Sequence, residues 1–413
     1  MPESRGNNLS QASSQDQRPA LNPQIVFCGT ARSVKDASSV LSNANIIFMD
    51  CEGVDLGVRG GTLSIITLGV ISLHSPTNLN IYIIDVAHLP LVDIQPIYDL
   101  LASSNATKVV WDGRMDYSAL YHYYRVRMQN VVDLQLVDIL SRESRDTPEE
   151  HLKRFSDYVQ PKLLKSADGK KLYGKIHRLN SLINAVREHK PIGYQHFNKA
   201  KVDHQLWDTA PLPADYIKYA AMDIEMIAAL FLNFISQRYY AALSAVSLKA
   251  KSSRYIAFWA NRQPSAATRR DYYSGNGFLP LEIIDDCSDD LVLVPDGKKY
   301  QCKKCKRFLR KTSFRHAEEA SLGARRSCLV CVAVAENSDH WDMRTAAMER
   351  RREAKERRRE EKTKRRARRK GGRGSSKRKT ASSTTKQKTA SSTTKRKAVS
   401  SATKRKTRSG TRS

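Results

Sequence analysis

The chain is 413 residues long and carries 71 Lys and Arg against 42 Asp and Glu, a formal net charge of +29 at pH 7. Such an excess points to polyanionic partners and excludes a surface built for cationic ones. A hydrophobic content of 40 % excludes a wholly disordered chain and is enough for at least one buried core.

The opening stretch MPESRGNNLSQASSQDQRPALNP is polar and shows no secretion signal, which predicts disorder over residues 1–24. Ile46–Met49 is apolar and β-prone, placing Asp50 at the end of a buried strand. In extended backbone Asp50 and Glu52 project to one side and Cys51 to the other. Two carboxylates on one side can hold a hard cation, and Gly53 lets the backbone turn or approach a ligand closely. The pair alone is weak evidence, because Asp223 and Glu225 make a second D-x-E and strand-end acids are ordinarily just solvated. Leu63–Leu73 and Asn80–Val86 make the next two strands. A helix near Ile94–Ala102, a strand at Val109–Trp111 and a helix from Asp116 then alternate, with Val131–Asp133 a last short strand. Consecutive strands followed by alternation with helices predict an α/β domain, a mixed sheet flanked by helices.

In VVWDGRMDYSAL, Asp116 falls in the first turn of a helix, with Leu120 four residues on and on the same face. An acid there is ordinarily a cap or a dipole partner, and Asp112 in the same turn competes with it for any further role. DYIKYAAMDIEMIAALFLNFI reads as a strongly apolar helix in which Tyr219 and Asp223, four apart, stack on one face. Tyr219 alone reads as a core tyrosine. An acid inside so apolar a helix is costly unless paired or metal-bound. Taken together, the four acids and the tyrosine supply what a two-metal nuclease needs. Carboxylates hold divalent cations against a phosphate, and a hydroxyl orients water.

On these motifs, residues from about 25 to 240 resemble the DEDD superfamily of 3′–5′ exonucleases in its RNase D-like branch. The likeness is carried by D-x-E on the first strand, LSIITLGVISL, Asp116-x-x-x-Leu120, VVDLQLVDIL and LWDTAPLPADYIKYAAMD. In the last of these, Y-x-x-x-D marks the tyrosine subtype; the histidine variant needs His before Tyr219, where Lys218 stands. The wording is also similar to a fungal branch related to 3′–5′ exonuclease domain-containing proteins. The resemblance implies a ribonuclease H-like fold over residues 25–245. It further implies that Asp50, Glu52 and Asp223 hold one Mg²⁺ or Mn²⁺, and that Asp50 and Asp116 help hold a second. Tyr219 is implied to orient, and help deprotonate, the attacking water. The implied products are nucleoside 5′-monophosphates cut from single-stranded nucleic acid, RNA favoured. Two departures bear on substrate preference. Ala210 precedes Pro211 and Leu212 where the family often has Arg. A long charged stretch between Asp138 and Leu206 reads as a solvated loop with helices or as a substrate-guiding lid.

Residues 246–297 read as a connecting region, where Phe258, Tyr272 or Tyr273 closes a packing seam or stacks on a base. Cys302 and Cys305, then Cys328 and Cys331, form two C-x₂-C pairs whose separation fits a closed, structural four-thiolate Zn²⁺ site in a module over residues 298–340. Lys303, Lys304, Arg325 and Arg326 ease thiolate formation. The segment resembles the zinc-ribbon modules of fungal chromatin and RNA-interference proteins. Cys28, Cys51 and Cys287 show no pairing pattern.

Residues 341–413 hold 29 Lys and Arg against 6 Asp and Glu, so they carry +23 of the +29. Residues 341–370 have helix-forming composition without an apolar stripe, predicting a solvated charged helix. From residue 371 a nonapeptide repeat (KRKTASSTT, KQKTASSTT, KRKAVSSAT) has nothing to bury and predicts disorder. Its basic clusters suit phosphate neutralisation and, with KRRARRK at Lys364–Lys370, nuclear import. No apolar run is read as a membrane span. The expectation is a soluble nuclear protein whose partners are single-stranded RNA or DNA and chromatin or RNA-processing proteins, with no membrane. The rival expectation is a catalytically silent exonuclease-like domain that serves as an RNA- or chromatin-binding scaffold.

Overall fold

A computed structural model describes residues 20–72, 75–194, 199, 201–240, 245–266, 277–285, 299–315 and 326–337 in one compact unit. A separate unit from Thr345 onward is described at 346, 349–358 and 361–362, all helical and, where side chains are described, exposed, as the charged composition requires. Tyr272, Tyr273, Cys287, Arg325, most of the amino-terminal stretch and the nonapeptide repeat lie outside the described residues.

Six strands form one sheet: β1 (Asn22–Cys28), β2 (Ile46–Glu52), β3 (Ile65–Ser72), β4 (Ser75–Asp85), β5 (Thr107–Val110) and β6 (Val131–Asp133). Their spatial order is β1-β4-β3-β2-β5-β6. The meander β2–β3–β4 is antiparallel, β5 and β6 continue parallel to β2, and β1 runs parallel to β4. This is the mixed sheet that the strand pattern predicts. β1 is the exception, since its first residues lie in the stretch read as disordered. Only Cys28 of β1 is buried, so its apolar periodicity is too weak to see; backbone pairing with Asn78–Ile84 builds it.

One face of the sheet is covered by α1 (Ala31–Leu41), α2 (Leu91–Ala102) and α3 (Arg114–Tyr124). The other is covered by α4 (Leu134–Arg145), α8 (Leu182–His189) and α9 (Ala214–Ser236), with α5 (Pro148–Lys153), α6 (Pro161–Lys165) and α7 (Ala167–Tyr173) between α4 and α8. By length and composition α9 is apolar enough to cross a membrane, contrary to the sequence reading; 61 % of its most apolar window is buried in the protein, as in a core helix. It lies close on the sheet because β3 offers it Gly69. A Cβ there would stand 2.3 Å from Ile224 Cγ2, the residue after Asp223.

The stretch read as a connecting region begins with a helix that belongs to the same body. α10 (Ala245–Ile256) packs on β6 and α3. Ser252 Oγ accepts the Asp133 N–H at 3.0 Å, and the buried Tyr255 hydroxyl donates to Gln135. Phe258 lies under the Arg307 guanidinium, 3.9 Å from the ring centroid, so it closes a seam. The four-cysteine segment is not free-standing either. Phe155, Tyr158, Leu172 and Tyr173 share one apolar cluster with Cys302, Phe314, Cys328 and Leu329. Asn337 Nδ2 adds a 2.6 Å bond to the Tyr173 hydroxyl.

The charged stretch between Asp138 and Leu206 is thus a helical insertion, fixed to α4 by a network of ion pairs. Asp138 accepts from Arg142 and Arg145, and His189 Nε2 lies 2.7 Å from it. Glu188 of α8 accepts from Arg145, Arg154 and Asn180. Burial opposes ionisation of Glu188, but the hydrogen bonds and charges of Arg154 and Arg145 win and hold its carboxyl far below the ordinary 4.5. A group depressed on folding stabilises above its unfolded value and loses that contribution as pH falls below it. Glu188→Gln should therefore lower the thermal midpoint near neutral pH, with the difference from wild type shrinking as the pH drops below 4.5. A gap that persists unchanged in acid would show that the charge is not what matters. Gly69→Ala, overpacking α9 against β3, should cost about 1–3 kcal/mol in urea unfolding; an unchanged midpoint would show that the helix has slack.

Candidate active site

β2 runs through the centre of the sheet, and its alternation separates the side chains of its last three residues. Cys51 enters the apolar cluster beneath α1, α2 and α3. Asp50 and Glu52 meet Asp223 of α9, with one carboxylate oxygen from each lying within 4.8 Å of the others. Gly53 follows, and the close approach it permits is to the protein's own loop: a Cβ would stand 2.2 Å from the Thr62 carbonyl oxygen. That loop is fastened from the far side, where Thr62 Oγ1 and Ser64 Oγ donate to Asp208.

Asp112 and Asp116 differ in their partners. Asp112 is paired with Arg114, whose Nη2 donates to its Oδ2 at 2.7 Å. Asp116 is buried and accepts the Cys51 N–H at 2.9 Å, which ties α3 to β2 beside Asp50. It is not among the three whose oxygens converge within 4.8 Å, yet its charge bears on Asp50. Glu225, the other half of the second D-x-E, is turned away and accepts the Tyr194 hydroxyl at 2.8 Å.

Asp50, Asp116 and Asp223 resist ionisation, chiefly because they are buried. Asp50 is pushed well above the ordinary aspartate value, by burial first and then by repulsion from Asp116, Asp223 and Glu52. Burial pushes Asp116 up to about 7, although its own N–H and that of Cys51 work against the shift. Asp223 is also raised by burial, with Lys199 offsetting it. Tyr219, one helical turn before Asp223, has its phenol pushed up by burial and by Glu52, Asp223 and Asp50. In this field it is a neutral hydroxyl that can orient a water but is a poor base.

Two groups at the site come from the insertion and were not singled out by sequence. Lys199 donates to Asp223 Oδ2, with Nζ 3.3 Å from the centroid of the Tyr219 ring. His204 Nδ1 stands 3.8 Å from Glu52 Oε2, but that nitrogen accepts the Trp207 indole N–H at 3.2 Å and so does not donate to the carboxylate. Trp207 is fully buried and packs edge-on against Tyr216 and Tyr219. Lone Lys and His residues in a charged stretch carry no periodic signal that would mark them.

The donor set fits a hard divalent cation: all ligands are carboxylate oxygens, and oxygens about 4.2 Å apart can bind one Mg²⁺ from opposite sides. The protons that burial and, at Asp50, repulsion favour on these acids are what such an ion would displace. The four cysteines form a second set of different chemistry. Cys302 Sγ lies 3.9 Å from Cys331 Sγ, and Cys305 Sγ 3.9 Å from Cys328 Sγ. Those separations are far from a disulfide and close to the edge of about 3.8 Å of a tetrahedron with metal–sulfur bonds of about 2.3 Å. The Cys328 N–H donates to Cys302 Sγ at 3.3 Å. Asp138, Glu188 and His189 also converge, but the arginines described above already occupy their oxygens.

Solved structures with a related fold include RNase D from Trypanosoma brucei (17 % identity, covering 70 % of this chain and 94 % of that one, TM-score 0.44) and the same enzyme in complex with RNA U12 (16 %, 69 % and 90 %, 0.45). RNase D from Escherichia coli is similar at 14 % identity, over 61 % of this chain and 55 % of that one, with a TM-score of 0.35. These likenesses are too remote to bear on the chemistry, and no curated protein matches the chain. Residues 25–237, more than half of the sequence, match the family described as 3′-5′ exonuclease, with all three carboxylate-bearing elements, β2, α3 and α9, inside the match. The chain belongs to the 3′–5′ exonuclease family.

Proposed function

We propose that the protein is a metal-dependent exonuclease of the tyrosine subtype that shortens single-stranded nucleic acid from its 3′ end, releasing nucleoside 5′-monophosphates. RNA is favoured over DNA by the RNase D-like wording of its motifs. The observation that carries this reading is the convergence of Asp50, Glu52 and Asp223, with Tyr219 one turn away on the same helix. Two Mg²⁺ or Mn²⁺ ions would neutralise phosphate charge, lower the pKa of a water and clamp the entering and leaving oxygens. Asp50, Glu52 and Asp223 are the residues to hold one, Asp50 and Asp116 the other. Asp116 accepts the Cys51 N–H through Oδ1, which holds its carboxylate beside Asp50. Tyr219, still protonated, orients the water.

In the same reading the four thiolates hold a structural Zn²⁺, and the basic region beyond Trp341 neutralises phosphates without reading sequence. Its Lys/Arg clusters also support a nuclear location and partners among chromatin or RNA-processing proteins. A second reading, the catalytically silent scaffold, draws support from one observation: the Lys199 ammonium sits on Asp223, where a divalent ion is needed.

A 5′-labelled single strand incubated with Mg²⁺ or Mn²⁺ should shorten one nucleotide at a time, RNA faster than matched DNA. Asp50→Asn and Asp223→Asn should abolish this, and Tyr219→Phe should lower kcat by about 10²-fold or more. Binding of the strand without shortening would establish the scaffold. Purified protein should carry one zinc per chain by elemental analysis. Cys305→Ser and Cys328→Ser should lose it and expose α5–α7 to protease, because the cysteine segment and that insertion share one apolar cluster. A zinc-free variant with unchanged protease resistance would remove the structural role.

A further inference from the structure

We propose that Lys199 is a resident cation of the carboxylate pocket, bound to Asp223 when no divalent ion is present and displaced from it when one enters. This rests on the metal-dependent reading above and adds a device that sets how tightly the ions are held. Lys199 lies in the stretch joining α8 to α9, outside every motif that marks the family in this sequence. Its ammonium donates to Asp223 Oδ2, its side chain is 7 % exposed, and the carboxylate it meets is 10 % exposed. An ion pair so enclosed is screened little by solvent.

The pocket is short of positive charge even with Lys199 in place. Among the described residues four acids stand at the site, and the Lys199 charge bears on Asp50 as well as on its direct partner Asp223. A divalent ion brings twice the charge and takes oxygens from several acids at once, so it wins the carboxylates; Lys199 then subtracts from its affinity. The lysine has somewhere to go. Its ammonium already lies 3.3 Å from the centroid of the Tyr219 ring, and an aromatic face holds a cation without any carboxylate. The exchange is therefore a short movement from Asp223 along the ring. In the free protein the same contact holds α9 to the insertion and keeps Asp223 from facing its neighbours unneutralised.

Mn²⁺ suits the test, because it prefers carboxylate oxygen and leaves thiolate sites to zinc. Binding is read by loss of the free Mn²⁺ electron paramagnetic resonance signal on titration of the full chain, previously passed over a chelating resin. Lys199→Met and Lys199→Gln should bind Mn²⁺ about tenfold more tightly than wild type, the change expected for loss of one charge-assisted hydrogen bond to a ligand. Lys199→Arg, which keeps the charge, should stay near wild type. Without Mn²⁺ the two neutral variants should unfold at lower temperature than wild type, and saturating Mn²⁺ should close that gap. Equal Mn²⁺ affinity in wild type and both neutral variants would overturn the proposal while leaving the metal-dependent reading intact. No uptake by any of them, matching Asp50→Asn, would overturn both.

Discussion

Mutual repulsion among acids at the end of β2 is the constraint around which the catalytic half of the molecule is arranged. At separations of about 5 Å and an effective dielectric constant of about 20, each pair of full charges costs about 3 kcal/mol. A domain whose net stability is about 5–15 kcal/mol cannot carry several such pairs without relief. The acids cannot relax apart, because each is fixed by backbone. Asp50 and Glu52 are set by the pleat of a strand paired with β3 at both residues. Asp223 is set by a helix lying tightly on Gly69, and Asp116 by its bond to the Cys51 N–H. What can change is protonation or the presence of a cation, and the upward shifts of Asp50, Asp116 and Asp223, driven first by burial and at Asp50 also by its neighbours' charge, favour the protonated form. Rigid placement of like charges is the property that a divalent cation site requires.

Much of this is legible in the sequence, for definite reasons. β2, β3 and β4 are apolar and β-branched, and a strand's period of two forces Asp50 and Glu52 onto one side. The spacing of four between Tyr219 and Asp223 places them on one face of α9 whatever the helix packs against. Other features depend on tertiary partners and are silent in one dimension. Spacing does not distinguish Asp112 from Asp116; their partners do, since Arg114 pairs with the first and the Cys51 N–H bonds the second. β1 exists because β4 offers it an edge, and its own side chains are mostly exposed. α9 is as long and apolar as a membrane span because a helix packed between the sheet and other helices is apolar on most of its faces.

The insertion shows how position in the chain misleads about position in the site. Between α4 and α9 the sequence is charged and polar, the usual look of a solvated loop. Its charges are spent on one another: Arg142, Arg145 and Arg154 against Asp138, Asp146 and Glu188. That network leaves α5–α7 free to present Phe155, Tyr158 and Tyr173 to the cysteine segment. The stretch that follows it reaches the carboxylates with Lys199 and His204. Residues between α4 and α9 thus touch both candidate metal centres.

Charge is divided along the chain in opposite senses. The pocket is a concentration of carboxylates, whereas residues 341–413 hold +23 of the +29. A polyanion is drawn to the second and repelled by the first unless cations fill the pocket. Attraction by the basic region is sequence-independent and falls with salt, while admission to the pocket depends on divalent ions at short range. On the proposed function the two conditions act in series, the basic region raising the local concentration of nucleic acid and a cation-loaded pocket accepting a phosphate. Lys199, carrying one charge where ions of two are needed, cannot meet the second condition by itself.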